Sequence, residues 1–318
     1  MEPIEVTPKD VEAALPIVHQ VARKTPVLPV STAEGEVLLK LENLQNLGVF
    51  KIRGIWNRLS RLSEAERGRG VSTISSGNHG LSLAWAAKQL GLSCVVHVPE
   101  GAAPQKVAAI KAYGAECLPM PRAELVRAHL EETYRDWPST FIHPFAHAHT
   151  VAGAGTAGWE IAEQAPEIRT VLVPVGGGGL ASGVAVAVKG LLPHAQVLGV
   201  QAEGAASLPE ALRTHAPSRV EAPKTVADGI QIGLVLPSMV GLLTRHLDGC
   251  LLVNDREILA AMRHLALAAK VVAEPSGAAA FAAWRRHHES LKGPVAVIVS
   301  GGNVNSAELA DSLGNSEG

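Results

Sequence analysis

Aromatic side chains are scarce in this sequence, only 3% of its 318 residues, and neither sign of charge is in excess. The 28 Lys and Arg residues are matched by 30 Asp and Glu, for a net charge of −2. That balance supplies no basic field to hold nucleic acid or an anionic membrane, so neither is expected as a partner. Cysteine is nearly absent. Cys94, Cys117 and Cys250 lie far apart, form no Cys-x-x-Cys and make no even disulfide framework. Such usage suits a reducing compartment, and a cytoplasmic location is expected. No uncharged apolar run reaches the roughly eighteen residues that a membrane span needs. The first residues, Met1-Glu2-Pro3-Ile4-Glu5, lack the basic-then-apolar order of a secretory leader.

What is present is apolar and small. Apolar residues make up 47% and charged residues 18%, which predicts a sizeable core and argues against disorder. The 31 glycines let helices sit closely on sheets. The length suffices for one large domain or two medium ones. Short apolar stretches alternate with longer helical patterns nearly throughout. Residues 71–75 read as a strand and 78–90 as a helix, with Leu81, Ala84, Trp85 and Lys88 at helical spacing. Strand and helix repeat at 93–98 and 104–113, then at 170–175 and 180–191, and another strand follows at 196–201. Helical patterns at 257–269 and 276–288 lead to a last strand at 295–299. This alternation predicts an α/β protein with parallel sheets covered by helices. Such sheets bind ligands at the carboxyl ends of their strands. Thr7-Pro8 reads as an N-cap followed by proline at the first helical position, and residues 315–318 as a loose tail.

Four motifs point to chemistry. Phe50-Lys51-Ile52-Arg53-Gly54 sets a lysine between apolar neighbours at a helix entrance. Burial lowers a lysine's pKa, and the neutral amine can form a Schiff base; alone, the same residue also reads as a surface lysine. Ser75-Ser76-Gly77-Asn78-His79-Gly80 ends a strand and opens a helix, where hydroxyls and free N–H groups bind carboxylates; alone it is a capped turn. Gly176-Gly177-Gly178-Gly179 lies between a strand and a helix, and glycines there let N–H groups wrap a phosphate. Ser300-Gly301-Gly302-Asn303 follows the last strand, a place for a ligand contact.

With Thr225-Val226-Ala227-Asp228-Gly229 and Glu274-Pro275-Ser276-Gly277, these motifs resemble the serine/threonine dehydratase and serine racemase family. This is the β-eliminating branch of the fold-type II pyridoxal-phosphate enzymes, and the resemblance runs in order over nearly the whole chain. It implies two open twisted α/β domains: a large cofactor domain from residues 1–55 and 147–318, and a small inserted substrate domain at 56–146. It implies pyridoxal 5′-phosphate as cofactor, a small amino-acid substrate and a homodimer. Lys51 would hold the cofactor, Phe50 would pack beside its ring, and Asn78 would hydrogen-bond its 3′-oxygen. Gly176, Gly177, Gly178 and Gly179, with Leu180, would cradle its phosphate. Ser300 would meet its pyridine nitrogen, and Glu274 would line its edge. Ser75, Ser76 and His79 would surround the substrate carboxylate, and Ser76 would also be the acid or base opposite Lys51 in a racemase. The implied reaction is dehydration and deamination of L-threonine, L-serine or both. Racemisation and β-hydroxyaspartate stay open as alternatives. The chain ends soon after the Ser300 motif, so the regulatory domain of biosynthetic threonine dehydratases is not expected.

The sequence departs from the family pattern at Val49, Ile55, Trp56, Gly80, Leu81 and Ala154, all expected near the substrate. Some members bind a divalent cation through two carboxylates; Gln201 and Ser207 stand at those places here, so no metal is expected. His143, His147 and His149 fit no usual zinc spacing. Gly176-x-Gly178-x-x-Ala181, with Glu203 after the next strand, imitates a dinucleotide fingerprint. A nicotinamide-dependent oxidoreductase is therefore the competing enzyme class, and a non-catalytic cofactor-binding protein is the competing non-enzyme.

Overall fold

A computed structural model describes residues 2–314; the tail read as loose, residues 315–318, lies outside them. Among the described residues the strands follow in chain order: β1 (Val27–Thr32), β2 (Gly35–Leu41), β3 (Val71–Ile74), β4 (Cys94–Pro99), β5 (Glu116–Met120), β6 (Thr140–Phe141), β7 (Thr170–Pro174), β8 (Gln196–Ala202), β9 (Ser218–Arg219), β10 (Leu234–Val235), β11 (Gly249–Val253) and β12 (Val295–Val299). A six-stranded sheet has the order β1-β2-β12-β7-β8-β11, and a four-stranded sheet the order β5-β4-β3-β6. Every pairing in both is parallel except that of β1 with β2, and β9 and β10 form a separate antiparallel pair. The α/β architecture read from the alternation is the one the chain adopts.

The apolar runs of β7 and β12 are unbroken because both faces of their sheet are covered. The pleat sends Val171, Val173, Ala296 and Ile298 into one core, and Leu172, Val295, Val297 and Val299 into another. Helices Ala148–Gln164 and Gly179–Leu191 contribute to the first core; Asp255–His264 and Pro275–His287 contribute to the second. The first two helices cross backbone to backbone at Gly155 and Gly183. A Cβ at Gly155 would lie 2.7 Å from the Gly183 carbonyl oxygen, so a larger residue would force them apart.

Thr7 caps helix Pro8–Val18 as read from the sequence, and Asp10 completes a capping box. The pattern at 257–269, read as one helix, divides. An α-helix ends at His264, and a π turn, Leu265–Ala269, closes with Lys270 in the left-handed region at φ 58 and Val271 N–H donating to Leu265 O at 2.9 Å. No described helix is long and apolar enough to cross a membrane. The turns leaving β3, β7 and β12 at their carboxyl ends all reach one cleft.

Candidate active site

Helix Lys51–Leu59 starts beside the end of β12: Phe50 N–H donates to Ser300 O at 3.1 Å, and Val49 bridges to Gly301. Two residues further, the buried Arg53 grips two carboxylates. Its Nε and Nη2 donate to Glu42 at 2.7 and 2.8 Å, and its Nη1 and Nη2 to Glu160 at 2.7 and 2.8 Å. Lys40 Nζ donates to Glu160 at 2.6 Å, the Thr25 hydroxyl to Glu42 at 2.5 Å, and His19 Nε2 meets Glu160 at 2.8 Å. Burial opposes the Arg53 charge, but the Glu42 and Glu160 carboxylates outweigh it and raise its pKa.

Lys51 has no such partner. Its Nζ donates to Pro144 O at 3.4 Å and lies 4.9 Å from the Phe50 ring centroid. Withdrawal from water lowers its pKa from 10.5 to about 8, against a weaker pull from Glu274. Roughly one amine in ten is therefore neutral and nucleophilic at pH 7.

Lys51 lines a cleft of about 1170 Å³, and every residue given a cofactor or substrate role from the sequence lines the same cleft, as does Leu81, whereas Val49, Ile55, Trp56, Gly80 and Ala154, expected near the substrate, do not line it. The glycine turn enters from β7. Gly178 occupies the N-cap position of helix Gly179–Leu191 at φ 93, without a side chain to bond the helix's first N–H groups. A Cβ at Gly177 would overlap the Phe145 ring, and one at Gly178 would lie 2.9 Å from Leu243. Close approach and backbone sign thus require glycine here, and the uncapped helix end is left for an anion. A second uncapped helix end, Asn78–Gln89, follows Gly77, with Ser75 and Ser76 half-buried beside it. Ser75 N–H donates to His97 O at 3.0 Å, and Ser75 Oγ accepts from Gly77 N–H at 3.2 Å.

His79 is buried, with Nε2 3.2 Å from Ile142 O, so that nitrogen carries the hydrogen; Nδ1 is a bare acceptor without a partner. Burial pushes its pKa to about 3, and the ring is neutral. A neutral ring with a bare acceptor offers no donor to a carboxylate, so the expected carboxylate contact rests on Ser75, Ser76 and the helix end. Ser300 Oγ, buried, has only the Ser276 carbonyl at 3.5 Å, and Ser276 Oγ has no partner. Asn78 Nδ2 donates to Glu274 at 2.8 and 3.0 Å, and burial raises the Glu274 pKa to about 7. These donors fit pyridoxal phosphate: an amine of lowered pKa for the aldehyde, an uncapped glycine-led helix end for the phosphate, and an under-used hydroxyl for the ring nitrogen.

The other constellations resolve differently. Gln201 Oε1 accepts from Leu208 N–H at 2.7 Å. Glu203 pairs with Arg286 at 3.3 Å and does not line the cleft, so it does not serve a dinucleotide there. His143 Nδ1 accepts from Ala146 N–H at 2.8 Å, and His147 Nδ1 caps helix Ala148–Gln164 through His149 N–H at 3.1 Å. Among the described residues no three His, Cys, Asp or Glu side chains are grouped to hold a metal. Arg53, Ser276 and Asn303 were given no role by the sequence. Each lies inside a quoted motif, which was the available signal.

A family model described as pyridoxal-phosphate dependent enzyme matches residues 18–301. The chain is 38% identical to an L-threonine ammonia-lyase of Thermotoga maritima over 91% of this chain and 72% of that protein. It is 37% identical to a serine racemase of Schizosaccharomyces pombe over 96% of each. The crystal structure of a threonine deaminase from T.th. superposes with a TM-score of 0.85 at 37% identity, covering 94% of this chain and 99% of that one.

Proposed function

This chain belongs to the pyridoxal-phosphate dependent enzymes, and from that premise we propose that it removes the β-hydroxyl and amino groups of L-threonine, L-serine or both. The products are a 2-oxo acid and ammonia. The observation that carries the reading is Lys51, an amine with no carboxylate partner and a pKa lowered to about 8, in one cleft with the glycine turn and Ser300.

Pyridoxal phosphate, when bound, supplies an electron sink for charge left on the substrate's Cα. Lys51 Nζ holds the cofactor at rest and accepts the Cα proton in turnover; its pKa suits a base working near neutral pH. The N–H groups from Gly176 to Leu180 hold the phosphate, and Phe50 packs beside the ring. Ser75, Ser76 and the end of helix Asn78–Gln89 hold the substrate carboxylate. Ser300 offers a neutral hydroxyl to the ring nitrogen. Ser300 would thus meet that nitrogen through a group that carries no charge, unlike a carboxylate. We read residues 56–146 as the substrate domain, residues 1–55 and 147–318 as the cofactor domain, and the assembly as a cytoplasmic homodimer, by likeness to the family.

Racemisation is the second reading, favoured by Ser76 in the cleft and by the racemase relative. It needs an acid or base on the substrate face opposite Lys51, and the Ser76 hydroxyl is placed in the motif that supplies it. The test is a keto-acid assay over β-hydroxy amino acids of both hands, with chiral chromatography of serine. Keto acid in excess of D-serine supports the lyase, and Ser76→Ala should then suppress D-serine about tenfold more than keto acid. D-serine in excess overturns the lyase reading in favour of the racemase.

A further inference from the structure

Both ends of the Asn78 amide are occupied. Nδ2 donates to Glu274, 2.8 Å from Oε1 and 3.0 Å from Oε2, while Oδ1 accepts from Asn303 Nδ2 at 2.8 Å. Asn303 Nδ2 donates also to Leu47 O at 2.8 Å. The relay thus ends on a backbone carbonyl, which only accepts, and on Glu274, both of whose oxygens are turned to Asn78 Nδ2. Turning Asn303 over would set its oxygen against Leu47 O. Turning Asn78 over would set its oxygen against Glu274 and its nitrogen against that of Asn303. Each turn loses hydrogen bonds at both ends and leaves like groups facing. The anchors are themselves fixed. Leu47 sits at φ 64 in a turn pinned by Gly302 N–H donating to Gly48 O at 2.9 Å, and Glu274 N–H donates to Gly301 O at 3.1 Å.

An amide nitrogen carries two diverging hydrogens, and one carboxylate takes one of them, so the other is left for an acceptor in the cleft. We infer that Glu274 is a positioning residue: with Asn303 it fixes the direction of the Asn78 amide, so that Asn78 presents N–H and never its oxygen to the cofactor. This rests on the reading that Asn78 meets the ring oxygen of pyridoxal phosphate.

The test reads the visible absorption band of the holoenzyme and its cofactor dissociation constant. Glu274→Leu should shift the band and raise the constant about tenfold, the equivalent of one hydrogen bond. Glu274→Gln still offers a carbonyl acceptor and should keep the wild-type band. Asn303→Leu loosens the relay from its exposed end, without risk to the core, and should shift the band in the same direction. On an Asn78→Ala background Glu274→Leu should change nothing further, because both act through one amide. A full Glu274→Leu effect on that background overturns the relay and places Glu274 against the cofactor directly. Wild-type behaviour of Glu274→Leu overturns it as well. An unaltered Asn78→Ala enzyme removes the contact on which the proposal rests, while the keto-acid assay still judges the reaction by itself.

Discussion

Two polar regions flank the start of helix Lys51–Leu59, and they differ in whether partners outweigh burial, as they do at Arg53 and Glu160 although not at Lys40, whose pKa burial lowers. Behind Lys51, the Arg53 network balances Arg53 and Lys40 against Glu42 and Glu160. Burial drives Glu160 toward neutrality, but Arg53 and Lys40 overcome it and hold its pKa down, as the carboxylates hold that of Arg53 up. In front, burial wins. Lys51 falls to about 8, Glu274 rises to about 7 and His79 falls to about 3. Ser276 Oγ and His79 Nδ1 have no partner there. Depth alone therefore does not mark a reactive site. Groups that find partners stay charged and hold the fold, whereas groups left short are where a ligand completes the set.

The sharpest way to break this contrast is to remove its front member. Lys51→Ala should abolish keto-acid formation and the visible band, because the other lysines at the cleft, Lys106 and Lys224, are exposed at its rim and Lys106 is paired with Asp228. The same change should move stability by less than about 1 kcal/mol, since the amine has one long hydrogen bond to lose. Activity, absorbance and thermal melting measure all three. Residual turnover near the wild-type rate would end the assignment.

The back should respond in the opposite sense. Arg53→Met leaves Glu42 and Glu160 buried with much of their compensation gone, which typically costs about 3–5 kcal/mol. The melting midpoint should fall by roughly 6–10 °C. The protein that remains folded should keep the cofactor's visible band, because Lys51 and the glycine turn are untouched. A variant that melts normally but loses the band would show that the two regions are not separable in this way.

The sequence carried the front of the site better than the back. The glycine turn was legible because four glycines between a strand and a helix have few other uses, and the structure supplies the close contacts that demand them. Lys51 was legible by resemblance and by its apolar neighbours. Arg53 was not, because its partners Glu42 and Glu160 come from distant segments, and no local pattern announces a long-range ion pair. Asn303 was quoted without a role for the same reason, its partners being Leu47 and Asn78. The edge hairpin of β1 and β2 escaped because β1 is half exposed and weakly alternating. The π turn after His264 continues the helical spacing, so composition could not show the break.

The smallest expected effect belongs to a third buried site, and it sharpens the rule drawn from the other two. Gln201 and Ser207 are both buried, and Gln201 Nε2 and Ser207 Oγ have no partner, as at the front. Missing partners alone would suggest a ligand. The chemistry of the atoms decides against a cation. Gln201 Oε1 is already taken by Leu208 N–H at 2.7 Å, at the start of helix Leu208–Thr214. What it leaves is a pair of N–H hydrogens, which repel a positive ion. Ser207 adds one neutral hydroxyl, and the nearby carboxylate of Glu203 is turned to Arg286. A hard dication wants several oxygen ligands, carboxylates among them. A donor beside a hydroxyl suits a water molecule instead. Added magnesium or calcium, or a chelator, should therefore change keto-acid formation by less than about twofold. If a chelator removes most of the activity and either ion restores it, the two residues do not replace the carboxylates in the way argued. Missing partners would then mark ligand sites whatever the charge of the atoms involved.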